Sequence, residues 1–208
     1  MNMIKQLMIG LCLTSLLACN PTDKKSDMET KNQVVETIMT RRSIRNYVQK
    51  PVDRDTMNMI LECGIYAPNG QNKQSWEVRI IDNAEMMAQL TQAMVDANPG
   101  VDAEFVAGCF RGAPTMAFIA NDLSYDFSVI DCGLLAQNMM LSAWSMGVGS
   151  IALGSPVRFI QNIPADNPIV QKLGFSDGYK LVLCVGFGYP NETPVVKPRD
   201  WGKVKFVD

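Results

Sequence analysis

The apolar and polar positions alternate between short stretches of helical period and runs that are apolar almost throughout. Val34, Val35, Ile38 and Met39 recur at helical spacing just ahead of a basic turn. Asp53 fits an N-cap, and Met57, Ile60, Leu61, Gly64 and Ile65 give one apolar face to a helix that stops before Pro68. Residues 76–81 alternate as a strand, and residues 84–97 return to helical spacing that ends near Pro99. Residues 98–112 are irregular and carry Phe105 and Phe110, which makes them either a flap over a pocket or a surface connection. Residues 115–120 and 181–187 are nearly continuous apolar runs, the pattern of strands covered on both faces.

The longest helical pattern is residues 128–146, about 28 Å at ~1.5 Å per residue. Leu134, Leu135, Met139, Met140, Leu141, Ala143 and Trp144 leave little of its circumference polar, which predicts a buried helix, both central and half of a dimer interface. Asp131, Gln137 and Asn138 argue against a membrane span. Residues 147–156 (GVGSIALGSP) predict a turn, a short apolar strand and a helix start with Pro at its first position. The glycines there let backbone approach something closely, but the order is not GxGxxG, so a dinucleotide fold is not indicated.

The first residues follow a different logic. A charged start at Lys5 leads into an apolar run from Leu7 to Leu17, too short for the ~20 apolar residues of a spanning helix, so residues 1–18 predict an export signal. Leu16-Leu17-Ala18-Cys19 resembles the lipobox of bacterial lipoproteins, in which the cysteine becomes the acylated first residue, although Leu17 stands where Ser, Ala or Thr is more usual. This implies lipidation at Cys19 and a membrane anchor in a bacterial cell envelope, the other reading being a plain secretory signal with Cys19 incidental. Residues 19–33 are rich in Lys, Asp and Glu and predict a flexible tether; residues 34–208 form the domain.

Composition narrows the chemistry. The 208 residues carry a net charge of only −2, which suggests neither disorder nor a broad nucleic-acid surface. The chain has no His, which excludes Ser-His-Asp and Cys-His nucleophiles and any imidazole-ligated metal. If the chain is an enzyme, a bound cofactor is the natural agent of the difficult step. Beyond the signal, Cys63, Cys109, Cys132 and Cys184 form no CxxC or zinc spacing. Cys63, Cys132 and Cys184 lie in apolar contexts as small buried hydrophobes.

Candidate binding chemistry gathers in residues 40–47 (TRRSIRNY). Arg41, Arg42 and Arg45 cannot all point one way in a regular element, but a bend turns two of them and Ser43 toward one point, the donor set a phosphate dianion needs. The plain alternative is a solvated basic turn. Residues 67–76 (APNGQNKQSW) form a loop whose amides offer both donors and acceptors to a heterocycle edge. Lys197-Pro198-Arg199 adds two cations at the far end of the chain.

These stretches, in this order and spacing, resemble the FMN-dependent nitroreductase family over residues 35–206. The resemblance implies an α+β homodimer with a mostly antiparallel sheet flanked by helices and two FMN sites at the interface. It implies hydride transfer from NAD(P)H through flavin N5 to a small-molecule acceptor such as a nitroaromatic or quinone. Arg41, Arg42 and Ser43 match positions that hold the FMN phosphate and ribityl chain, with Arg45 close by. Asn72 and Gln74 match amides of the loop that reaches the flavin, contributed by the neighbouring subunit relative to part of the site. Gly154, beside Leu153, matches the segment whose backbone N–H faces N5, and Lys197 and Arg199 match the second cationic pair. The chain departs from the family at Ser75, where Pro is frequent, at Leu153, where some members have Glu, and in its export signal. A rival of another class is an envelope-anchored flavin carrier without NAD(P)H turnover. A third is an anion-binding lipoprotein without redox chemistry.

Overall fold

A computed structural model describes residues 32–207; the expected signal peptide, most of the expected tether and Cys19 lie outside the described residues. The chain divides between Glu36 and Thr37 into two compact units. Helix α1 (Gln33–Thr40) begins where the Asn32 side chain accepts from the N–H groups of Val34 (3.0 Å) and Val35 (3.3 Å), satisfying donors that the helix itself leaves open.

The second unit is built on one four-stranded sheet of β1 (Trp76–Ile81), β2 (Thr115–Asp122), β3 (Gly149–Leu153) and β4 (Tyr179–Gly188). The strand order is β1-β2-β4-β3 and every neighbouring pair is antiparallel. Both apolar runs are the inner strands, as their composition predicts, because only an inner strand with helices on both faces keeps successive side chains dry. Met116 and Phe118 of β2 enter one apolar layer, while Ala117 and Ile119 enter the other.

The first layer is closed by α3 (Ala84–Asp96), α4 (Ala103–Ala107), α6 (Ser155–Ile160) and α7 (Pro168–Leu173), through Leu90, Met94, Val106, Val157, Ile160 and Leu173. The second is closed by α2 (Arg54–Ile65) and α5 (Ser128–Ser145), through Met57, Ile60, Leu135 and Met139. A Cβ on Gly64 would sit 2.6 Å from Met139 Cγ, so α2 and α5 meet where a side chain is missing. The architecture is the expected α+β class, a mostly antiparallel sheet flanked by helices.

Three local expectations change. Residues 98–112 are neither flap nor loose connection: Asp102 caps α4 by accepting from Phe105 N–H (2.7 Å), and Val106, Cys109 and Phe110 are buried. Helix α5 is not buried all round. One face is dry, while Val129, Ile130 and Leu134 are 53%, 58% and 39% exposed, because nothing in the described chain lies beyond them. Asp53 precedes α2 without capping it. Its carboxylate accepts from Tyr189 O–H (2.8 Å) and pairs with Lys50 (3.3 Å). Among the described residues no helix is long and apolar enough to cross a membrane.

Cys109, Cys132 and Cys184 are buried and free, whereas Cys63, expected to be buried, is half-buried. Burial pushes the Cys109 thiol up to about 11 and Cys132 to about 12. At pH 8 roughly one Cys109 thiol in a thousand is then the reactive thiolate. Iodoacetamide at pH 8 followed by peptide mapping is therefore expected to label Cys63 well ahead of Cys109, Cys132 and Cys184, which react only after denaturation. Equal labelling of all of them in the native chain would contradict this packing.

Candidate cofactor site

The basic turn after α1 runs extended, and two neighbours hold it. Ile44 N–H donates to Ser150 O on β3 (3.1 Å), and Ser43 bridges Ser150 in parallel fashion. On the other side Val48 N–H donates to Tyr189 O (2.9 Å), Asn191 N–H donates to Asn46 O (3.0 Å), and Tyr47 bridges Pro190. Glu192 Oε1 accepts from Arg45 N–H and from Asn46 N–H (3.2 Å). Ile44 and Tyr47 are buried, and extended alternation about Ile44 turns Ser43 and Arg45 outward. Burial raises the Tyr47 phenol, which stays an O–H donor to Ile44 O (2.7 Å).

Gly149 of the GVGS stretch and Gly188 of β4 serve this segment. A Cβ at Gly149 would lie 2.6 Å from Ile44 Cγ1 and 2.9 Å from Pro190 Cγ. One at Gly188 would lie 2.8 Å from Tyr47 Cδ1 and 2.8 Å from Pro114 Cδ. The close approach read from the sequence is thus to the protein's own basic turn.

Arg41, Arg42 and Ser43 are half-buried, and Arg45 is exposed. Arg42 Nη1 donates to Met39 O and Arg41 O, both at 2.8 Å, and Arg45 Nη1 donates to Ser43 O (3.2 Å). Burial first, then the positive charges of Arg42 and Arg199, hold Arg41 below the usual arginine value. Arg199, 158 positions further along the chain, therefore stands close enough to act on Arg41. Among the described residues no ion pair joins Arg41, Arg42, Arg45 or Arg199 to a carboxylate. An open cavity of about 640 Å³ beside Arg42 has Thr40, Trp144, Pro190, Glu192 and Pro194 among its other lining residues. Lys197 is exposed, and its carbonyl accepts from Arg199 Nη1 (3.2 Å).

The amide-rich loop is anchored elsewhere. Its hydrogen bonds run to α5, to Asp122 at the end of β2 and to itself, and none described reaches the basic turn. Asn72 and Gln74 are exposed with φ of 55° and 50°, and Gln71 also has φ of 55°. Three non-glycine residues in left-handed backbone hold these amides out toward solvent. Leu153 lies at the end of β3 with its side chain in the core, so only its backbone is free to act. Gly154 follows in an exposed position where an added Cβ would meet nothing within 4 Å.

Arg41, Arg42 and Ser43 thus lie in succession on the turn with the charge of Arg199 acting on Arg41, Arg45 and Lys197 are exposed, and Asn72 and Gln74 sit on a separate anchor. Sequence reasoning missed Glu192 and Tyr47, which hold the basic turn, and used Asp131 only as an argument against a membrane. Glu192 carries no local signal, since its partners lie 146 and 147 positions away.

A model of the nitroreductase family matches residues 38–189. The chain belongs to the nitroreductase family. The crystal structure of a nitroreductase with bound FMN from Desulfitobacterium hafniense superposes with a TM-score of 0.76 at 27% identity, covering 85% of this chain and 99% of that one. A nitroreductase with bound FMN from Bacteroides fragilis superposes with a TM-score of 0.73 at 28% identity, over 85% of this chain and all of that one (100%). The NADPH-flavin oxidoreductase of Vibrio harveyi is 29% identical over 175 residues, 81% of this chain and 70% of that protein. The nitroreductase fold expected from the resemblance is therefore the one observed.

Proposed function

We propose that this nitroreductase-family chain is an FMN-dependent NAD(P)H oxidoreductase that reduces a small acceptor such as a nitroaromatic or a quinone. One observation carries the reading: Arg41 and Arg42 are half-buried, the charge of the exposed Arg199 acts on Arg41, and none of the three has a carboxylate partner among the described residues. Like charges gathered out of full solvent repel one another, and a phosphate dianion reverses that balance. The donor set fits FMN, with guanidinium forks and the Ser43 hydroxyl for the phosphate, Lys197 beside them, and the Gly154 N–H for the ring. Asn72 and Gln74 would meet the ring's polar edge.

FMN held there supplies a ring that accepts hydride from a nicotinamide and returns electrons to an acceptor. The chain's own part is to bind and orient. Arg41, Arg42 and Arg199 favour the more negative state of whatever they hold. Leu153, with its side chain in the core, leaves a backbone donor and no carboxylate beside the reacting position. No side chain is asked to shuttle a proton, in keeping with a chain that lacks His. The purified protein should be yellow, bleach on addition of NADH or NADPH, and recover colour with menadione or nitrofurazone. A colourless protein that takes up no added FMN would overturn the reading, and bound FMN with no NAD(P)H turnover would favour the carrier instead.

A homodimer is part of the proposal. The tail after β4 carries Val195, Val196, Trp201, Val204 and Phe206 largely in solvent, on the same molecule as the bare face of α5. A second copy covering both would let each subunit's 69–75 loop serve the site of its neighbour. Deleting residues 201–207 is expected to halve the mass seen by light scattering, and an unchanged mass would count against a tail-dependent dimer. Lipid anchoring through Cys19 is proposed on the lipobox resemblance alone. Cys19→Ala should abolish metabolic labelling with palmitate, and undiminished labelling would exclude that cysteine.

A further inference from the structure

Asp131 lies in the first turn of α5, is 2% exposed, and has no cationic partner among the described residues. Both carboxylate oxygens are nevertheless occupied, and both by the amide-rich loop. Oδ1 accepts from Gly70 N–H (3.0 Å) and Oδ2 accepts from the Ser75 hydroxyl (2.6 Å). These donors stand at the two ends of the segment that contains Gln71, Asn72 and Gln74. Ser75 is itself 1% exposed, and its carbonyl accepts from Asp122 N–H (3.0 Å). A buried carboxylate without a counter-charge is costly unless hydrogen bonds and a favourable dipole offset it. The α5 N-terminus supplies the dipole, and the loop supplies the bonds.

The loop needs the clamp as much as the carboxylate needs the loop. Left-handed backbone is unfavourable for a non-glycine residue, and it persists only where surroundings over-determine it. Here Gln71, Asn72 and Gln74 all adopt it, so the segment does not hold its shape by local preference. A further pin is Asn69 Oδ1, which accepts from Gln74 N–H (2.9 Å). The hydroxyl–carboxylate bond at Ser75 is what fixes the end of the loop where the chain enters β1.

We propose that Asp131 is a positioning residue for the cofactor ring: through Gly70 and Ser75 it fixes the backbone that presents the Asn72 and Gln74 amides. The inference rests on the FMN reading. Asp131 touches no ligand itself. Removing either half of the clamp lets the loop relax to ordinary backbone and withdraws the amides from the ring's polar edge, while the phosphate grip of Arg41 and Arg199 stays intact.

The test uses the full chain with Asp131→Asn, Ser75→Ala, both together, and Ser75→Thr, which keeps the hydroxyl. Asn98→Ala serves as a control, since Asn98 is buried, donates to Met94 O (2.7 Å) and Phe159 O (3.2 Å), and lies away from the loop. FMN affinity is read by fluorescence titration, ring environment by visible circular dichroism and flavin midpoint potential, and folding by thermal melts. Ser75→Ala and Asp131→Asn should each weaken FMN several-fold and change the dichroism and potential in the same sense. The double variant should be little worse than either single, and Ser75→Thr should restore the wild-type signature. Asn98→Ala should lower the melting temperature without changing the flavin signature. If wild type binds FMN but Ser75→Ala and Asp131→Asn share its affinity, dichroism and potential, the positioning role is wrong and the cofactor reading stands. The role is equally wrong if the flavin changes of all variants, Asn98→Ala included, simply follow melting temperature. A wild type that binds no FMN overturns the cofactor reading and this inference together.

Discussion

Arg199→Ala raises the dissociation constant for FMN by roughly 10- to 150-fold, the equivalent of about 1.5–3 kcal/mol for a lost charge-assisted contact. Arg199 sits outside regular structure on an exposed tail, so its removal leaves the fold untouched and isolates the binding term. Its charge acts on Arg41, so the loss has two opposed parts. The free protein is relieved of like-charge repulsion, while the phosphate loses a donor. The second would dominate, because an attraction to a dianion at hydrogen-bond distance outweighs a repulsion between two cations further apart. The same variant at rising salt should show a shallower fall in affinity than wild type, as one fewer cation contributes. Wild-type affinity in a titration of Arg199→Ala would place the phosphate elsewhere.

Gly149→Ala should destabilise the fold by about 1–3 kcal/mol, the usual range for over-filling a packed site, and weaken FMN at the same time. The new Cβ would lie 2.6 Å from Ile44 Cγ1 and 2.9 Å from Pro190 Cγ, both closer than such contacts permit. Ile44 is fully buried and branched at Cβ, so it has no spare rotamer to retreat into. The segment between Ser43 and Arg45 must move outward, and the Ile44–Ser150 hydrogen bond lengthens with it. For a chain of this size a loss of that order lowers the melting temperature by roughly 2–12 °C. A variant that melts like wild type and binds FMN equally well would show that the basic turn does not depend on this close approach.

Much of the architecture was legible because burial on two faces and burial on one leave different marks. The runs at residues 115–120 and 181–187 needed no partner to be read as inner strands. The basic turn by itself read as either a phosphate cradle or a solvated turn, since Arg, Arg and Ser in succession suit both an oxyanion and water. The long helix was legible as central on one face, but its sequence does not say which apolar side chains face the core, because Val129 or Ile130 looks the same whether it packs inside or awaits another molecule. Residues 98–112 misled. A five-residue helix has too few positions to display a period, and Asp102 reads as a turn residue until its cap bond to Phe105 is seen.

The sequence by itself determined the strands and the longer helices, the absence of imidazole chemistry and the residue types available to hold an anionic cofactor, since each depends on local composition or short-range period. Only the tertiary structure decided which cations meet and what holds them. Arg199 acts on Arg41 because the chain after β4 runs back along the basic turn, and Asp131 faces Ser75 because α5 begins beside the loop. Such pairings lie 56 to 158 positions apart, and no short-range pattern encodes them. They follow from how the helices and the tail settle on the sheet.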